Sequence, residues 1–181
     1  MDQIVSKPEA RDIADVFRRA MALSRTAPPP TLAERRDRLA RLRAIVTDNE
    51  SRFAQAISAD FGNRSTTETL VAETLFLLAE IKHASKSLER WMPAKHVPTE
   101  WQYFPAKNRL LPQPLGVIGI IAPWNYPLQL TLAPAIAAIA AGNRVMIKPS
   151  ELVPSFSALL RRLVAEKFDD TEVTVTGIED H

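Results

Sequence analysis

The chain has no cysteine among its 181 residues. A disulfide framework, a thiolate zinc site and a cysteine nucleophile are therefore all excluded within these residues. The missing disulfides fit a reducing compartment, and a cytoplasmic location is the expectation that follows. Glycine is scarce, with five residues at positions 62, 116, 119, 142 and 177. None of them forms a G-x-G-x-x-G fingerprint or a phosphate-binding P-loop. Charge of one sign is also lacking: Lys plus Arg number 23 against 21 Asp plus Glu, a formal net charge of +2. That balance gives little support to nucleic-acid binding, although the pI of about 9.1 is mildly basic. The most apolar window, Leu128 to Ala141, is too short for a membrane span and reads as a buried helix. The first residues, MDQIVSKPEARDIADVF, carry no apolar core of the signal-peptide kind.

Hydrophobic residues make up 46% of the chain, which is ordinary for a globular protein and excludes global disorder. Asp12 to Ser24 reads as a helix with Ile13, Val16, Phe17 and Ala20 on one side, ended by Pro28-Pro29-Pro30. Thr31-Leu32-Ala33-Glu34 matches a capping box and predicts a helix to about Ala59, with Leu39, Leu42, Val46, Phe53 and Ile57 on one stripe. Phe61-Gly62 breaks it. Ser65-Thr66-Thr67-Glu68 is a second capping-box candidate, opening a helix to about Trp91 with Val71, Leu75, Leu78, Ile81 and Leu88 facing inward. Pro93 and Pro98 close the helical part. Trp101-Gln102-Tyr103-Phe104 and Asn108-Arg109-Leu110-Leu111 read as short extended pieces.

A strand over 116–121, a helix over about 128–141 and a strand over 143–148 follow, then a helix over about 155–167 and a strand over 172–175. Short links between strand, helix and strand predict parallel pairing and right-handed crossovers. Pro127 and Pro154 suit first helical turns, where a missing N–H costs little. Gly142 sits where a left-handed helix stop is wanted. In a parallel α/β sheet, ligands lie outside the carboxyl ends of the strands. The polar clusters Ala122-Pro123-Trp124-Asn125-Tyr126-Pro127 and Lys148-Pro149-Ser150-Glu151 would share that edge. An amide, an ammonium and a carboxylate would then line a single crevice.

The stretch from Pro114 to Glu151, PLGVIGIIAPWNYPLQLTLAPAIAAIAAGNRVMIKPSE, closely resembles the aldehyde dehydrogenase superfamily. Its phrasing is similar to the class 3 branch, including the coniferyl aldehyde dehydrogenases. The resemblance runs from about Ala10 to Thr176. It implies an α/β fold: a helical leader over 1–95, extended strands of oligomerisation type over 96–115, and the first half of a Rossmann-like parallel-sheet NAD(P)-binding domain over 116–181. It gives Asn125 the role of stabilising negative charge on an aldehyde oxygen during nucleophilic attack. Losing such a donor typically costs about 10²–10³ in rate. Lys148 would donate to the ribose hydroxyls of the adenosine half of the cofactor. Glu151 would accept from a ribose 2′-OH and repel a 2′-phosphate, favouring NAD weakly over NADP. Ser150 belongs to the same cofactor-binding cluster, and Ile121, Ala122, Pro123 and Trp124 resemble the wall beside the nicotinamide ribose.

Each residue also has a plainer reading. Asn125 is a turn former, Lys148 a lysine leaving a strand for solvent, Glu151 a carboxylate near a helix N-terminus. Ile121 reads as strand core, and Trp124 as a packing anchor. His83, His96 and His181 show no metal-ligand spacing. Arg35-Arg36-Asp37-Arg38, with Arg41 and Arg43, reads as a solvated helix face.

The family's members are roughly two and a half times as long, and their cysteine nucleophile attacks the aldehyde before hydride passes to NAD(P)⁺. This chain carries no thiol, and the family's phosphate-contacting glycine turn would lie past position 181. The residues from Thr176 to His181 depart from the family. The expectation is an N-terminal portion of an NAD(P)-dependent aldehyde dehydrogenase, homo-oligomeric in full-length form, which alone is inactive and binds NAD weakly or not at all. The alternative is a non-catalytic module that associates with itself or with a full-length subunit.

Overall fold

A computed structural model of the chain describes residues 12–177; the terminal positions that include Ala10 and His181 lie outside the described residues. Helix α1 (Ile13–Thr26) begins where the Asp12 carboxylate accepts from the amides of Ala14 and Asp15. It buries Val16 and Ala20, but Phe17, expected on the inner side, is 44% exposed. Helix α2 (Leu32–Asp48) opens with the predicted capping box: Thr31 Oγ1 accepts from the Glu34 amide at 3.3 Å, and Glu34 Oε2 accepts from the Thr31 amide at 2.7 Å.

The single helix expected to run to Ala59 is two. Asn49 ends α2 and precedes α3 (Glu50–Asp60) with φ −126°. Its side-chain amide donates to the Ile45 carbonyl, competing with the backbone for the helical ladder. The stripe survives the break, since Leu39, Leu42, Val46, Phe53 and Ile57 are all fully buried.

The second capping box does not form. Ser65 makes no cap hydrogen bond, and Glu68 pairs with Arg64 instead. A short helix α4 (Thr66–Thr69) runs into a π-helical turn (Leu70–Thr74) and then α5 (Leu75–Trp91). The π turn shifts the helical phase between α4 and α5. Val71 and Leu75, expected inside, are 56% and 52% exposed because they lie off the face that Leu77, Ile81 and Leu88 share. Leu77, Ile81, Ala84 and Leu88 form the inward stripe, and Glu73 and Thr74 are buried within the π turn.

Strand β1 (Lys95–Val97) pairs antiparallel with β2 (Asn108–Leu110). Trp101–Tyr103, expected to be extended, is a 3₁₀ turn closed by the Phe104 amide on the Trp101 carbonyl. Both strands are exposed throughout.

The final third is a parallel sheet in the order β3-β4-β5, built from Val117–Ile121, Arg144–Lys148 and Val173–Val175. Helix α6 (Pro127–Ala140) and helix α7 (Pro154–Lys167) provide the crossovers, each with proline in its first turn. Gly142 stops α6 at φ +90°. Ile118, Ile120, Val145, Ile147, Val173 and Val175 turn toward a core that also holds Leu42, Phe53, Leu88, Leu128, Ile139 and Phe156. Helix α1 contacts β3 and β4. Across this one core the Phe53 and Phe156 rings meet at 5.9 Å between centroids, joining α3 to α7.

The arginine-rich part of α2 is a solvated face only in part: Asp37 and Arg43 are exposed, but Arg35, Arg38 and Arg41 are not. Arg35 is 8% exposed, and Arg38 and Arg41 both reach Glu172 at 2.9 Å at the entrance to β5. Their charges tie the helical part to the sheet.

Candidate functional site

Parallel register puts the two polar turns side by side. Ile121, the last residue of β3, pairs with Lys148, the last residue of β4, and the Ala122 amide donates to the Lys148 carbonyl at 3.0 Å. Both chains therefore leave the sheet at the same carboxyl edge. The chain moves one way from β3 through β4 to β5, and open parallel sheets take their ligands outside the carboxyl ends of the strands.

Ile121 is 83% exposed despite lying in a strand, and Trp124 is 51% exposed. Leu152 beside Glu151 adds a third open apolar side chain. Lys148 Nζ and Glu151 Oε1 form a close ion pair within the second turn. The edge thus carries apolar surface next to an adjacent donor and acceptor. A ribose diol, whose hydroxyls both donate and accept, fits that pairing, and a flat base or nicotinamide ring fits the apolar surface.

The other expected site residues divide. Pro123 and Asn125 are exposed. Trp124 also packs on Phe61, with 5.9 Å between ring centroids, so its plainer role as an anchor holds alongside its exposure. Ala122 is 6% exposed. Ser150 serves its own turn: its Oγ accepts from the Leu152 amide at 3.2 Å, and its carbonyl accepts from Ser157 Oγ at 3.3 Å. No cluster of metal-ligating side chains occurs among the described residues.

Two charged residues that periodicity did not mark also end on this edge. Arg64 Nη1 donates to the Asn125 carbonyl at 2.9 Å, and its guanidinium lies 4.7 Å from the Tyr126 ring centroid. Glu73 Oε2 accepts from the amides of Leu128 at 2.7 Å and Gln129 at 3.0 Å. Burial pushes the Glu73 carboxyl above the usual carboxylate range, against the lowering effect of those amides and of Arg64. A sequence signal for Glu73 did exist. The inward phase of Leu77, Ile81 and Leu88, carried back one turn, falls on Glu73 and Thr74 rather than on Val71 and Leu75.

Comparison with known proteins decides the family. The profile described as "Aldehyde dehydrogenase family" matches residues 3–177. The chain belongs to the aldehyde dehydrogenase family. A coniferyl aldehyde dehydrogenase of Pseudomonas sp. (strain HR199 / DSM 7063) is 44% identical over 147 residues, covering 81% of this chain and 30% of that protein. A 4,4′-diaponeurosporen-aldehyde dehydrogenase of Staphylococcus aureus (strain NCTC 8325 / PS 47) is 37% identical over 170 residues, covering 93% of this chain and 37% of its own length. A solved structure, the substrate-bound state of Staphylococcus aureus AldH, superposes with a TM-score of 0.87 at 35% identity, covering 94% of this chain and 37% of that one. The chain spans about a third of the length of these relatives. The matched residues of this chain hold its helices and its parallel strands. No helix of the described residues is long and apolar enough to cross a membrane.

Proposed function

We propose that the chain supplies the adenosine-ribose edge and the oxyanion amide of an NAD(P)-dependent aldehyde dehydrogenase acting on an aromatic or long-chain aldehyde, coniferyl aldehyde being the specific substrate inferred from the relatives. The observation that carries this reading is the Ile121–Lys148 register, which delivers both polar turns to one edge. Bound there, NAD(P)⁺ supplies the hydride acceptor for oxidation of the aldehyde to the acid. Lys148 donates to the ribose hydroxyls and Glu151 accepts from the 2′-OH, which favours NAD over NADP. The exposed Ile121, with Pro123 and Trp124, covers the apolar face of the cofactor and keeps water from it. Ala122 and Ser150 shape the two turns through their backbones. The Asn125 side-chain amide donates to the aldehyde oxygen as negative charge builds on it.

No thiol is present in the chain, so the covalent step needs a nucleophile from outside these 181 residues. The isolated chain accordingly gives no turnover with aldehyde and NAD⁺, and production of NADH above a blank refutes that part of the reading. NAD⁺ binding by the isolated chain is expected to be absent or weak, on the order of millimolar, and where it occurs to shift backbone resonances at 121–125 and 148–152. Lys148→Met is expected to weaken it about tenfold, the size of one charge-assisted hydrogen bond. Shifts confined to other parts of the molecule would overturn the cofactor assignment.

A second reading is favoured by the β1–β2 ribbon. Val97, Leu110, Leu111, Trp101, Tyr103 and Phe104 are all exposed on and beside it. Such a surface suits association with another copy or with a full-length subunit. Sedimentation of the chain alone and with a full-length relative separates a specific complex from a chain with no partner.

A further inference from the structure

Arg64 and Glu73 stand apart from the two turns that carry the chemistry, yet both end on residues 125–129. Gly62 and Asn63 have φ of +69° and +112°, and this reversal returns the chain so that Arg64 points inward, its side chain 6% exposed. The guanidinium donates to the Asn125 carbonyl, stacks on Tyr126, and lies 5.1 Å from the Phe61 ring centroid. Its Nη2 is 3.2 Å from Glu68 Oε1 and 3.4 Å from Glu73 Oε1. Glu73 is fully buried in the π turn and holds the first two amides of α6 that Pro127 leaves available.

The segment Asn125-Tyr126-Pro127 is therefore gripped at both ends, by a cation before it and an anion after it. Folding alone does not call for this. A buried ion pair can often be replaced by apolar side chains of similar volume without loss of stability, and a solvent-facing asparagine or serine would cap α6 as well. What the pair does supply is a fixed backbone beneath one exposed side chain. Electrostatic stabilisation of a developing oxyanion depends on a donor that needs no reorganisation when the reaction occurs. π turns inside α-helices recur at functional sites, and Glu73 lies within this one.

We propose that Arg64 and Glu73 are positioning residues that hold the 125–128 backbone and thereby aim the Asn125 amide at the carboxyl edge. The role as aim rests on reading Asn125 as the amide that meets the aldehyde oxygen. The grip itself is read from the contacts.

The test uses the ¹⁵N-labelled 181-residue chain and two local observables: relaxation of the Asn125 side-chain NH₂, and hydrogen exchange at the Leu128 and Gln129 amides. Glu73→Leu is expected to speed exchange at both amides by on the order of tenfold to a hundredfold. Glu73→Gln keeps a carbonyl acceptor and is expected to stay within about threefold of the parent, on the neutral hydrogen-bond scale. Arg64→Met is expected to free the Asn125 NH₂, and Arg64→Lys to restore part of its order by donating to the same carbonyl. The Val145 and Thr176 amides, bonded across the sheet to Glu172 and Ile147, serve as the control and stay protected. If Glu73→Leu does not fold, the Gln and Lys variants carry the test. Unchanged Asn125 relaxation in Arg64→Met, or faster exchange at Val145 and Thr176 in step with Leu128, overturns the proposal. NAD⁺ shifts confined to residues outside 121–125 and 148–152 would sink the cofactor assignment alone, because neither local observable involves a ligand.

Discussion

Gly142→Ala isolates the junction on which the candidate edge depends. Gly142 ends α6 and leads into β4, whose far end carries Lys148. Its φ of +90° lies where an L-residue with a Cβ is strained by about 1–2 kcal/mol. A methyl group at this position would also stand 2.8 Å from Arg35 Cζ and Nη2 and 3.0 Å from Nε. A guanidinium at the end of a free side chain would swing away at little cost. This one is pinned, with Nε donating to the Pro30 carbonyl and Nη1 to the Ala140 carbonyl, each at 3.0 Å. Moving it sacrifices at least one charge-assisted hydrogen bond at a nearly buried residue, worth about 1.5–3 kcal/mol. Alanine loses less chain entropy on folding than glycine, which offsets about 0.4–1 kcal/mol.

The balance is a loss of about 2–4 kcal/mol, or a fall in Tm of roughly 5–15 °C at this chain length. Urea unfolding followed by far-UV circular dichroism measures it. The Arg35→Ala background supplies the control. With the guanidinium gone, the glycine substitution should cost only the backbone strain, about 1 kcal/mol. An equal cost in both backgrounds would refute the steric argument, and a loss below about 0.5 kcal/mol in the parent would refute the strain argument too.

Other perturbations follow from single contacts. Asp60, at the end of α3, accepts from the amides of Ser155 and Phe156 at 3.0 and 2.9 Å and so caps α7 from a distant part of the sequence; Asp60→Ala should cost about 1–2 kcal/mol in denaturant unfolding, whereas Asp60→Asn should cost less. Phe53→Ala removes a fully buried ring that packs on Phe156 and should cost about 3–5 kcal/mol, detectable as a fall in Tm of roughly 6–20 °C. Glu73 has a raised carboxyl pKa in the folded state, so the folded chain binds a proton before the unfolded chain does as pH falls. Relative to Glu73→Gln, the parent should thus lose stability as pH rises from the ordinary carboxylate range through the raised folded value, with Arg64 and Glu68 the charged groups facing the site; a pH-independent difference between the two proteins would contradict the assignment of that shift to burial.

How much could be read beforehand depended on where the deciding interaction lay. The alternating strands, helices and parallel pairing of 117–175 were legible because their boundaries are chemical. Pro127 and Pro154 open helices, Gly142 closes one, and branched apolar runs lie between. The convergence of the two polar turns followed from the same elements, since parallel strands must release their chains at the same edge. The Thr31 capping box was equally local. The breaks were not. Asn49 splits a helix through a bond from its own side chain, while the apolar stripe continues unbroken across it. The Ser65 box failed because Arg64 claims Glu68, and nothing in a four-residue motif states what precedes it.

The arginines of α2 and the Arg64–Glu73 pair carry the same lesson further. Charged residues at helical spacing look solvated until a distant partner exists, and Glu172 lies far along the chain from Arg38 and Arg41. Glu73 is harder still, because its partners are backbone amides, which carry no residue identity. Its trace in the sequence is a phase conflict between two apolar stripes that a uniform helix cannot satisfy together. The fold keeps the stripe of Leu77, Ile81 and Leu88 inside, which leaves Val71 and Leu75 exposed and carries Glu73 inward one turn earlier. A buried acid that spends its oxygens on the amides just after Asn125, where an apolar residue would have filled the same stripe, is the physical reason to look for a positioning role in this turn.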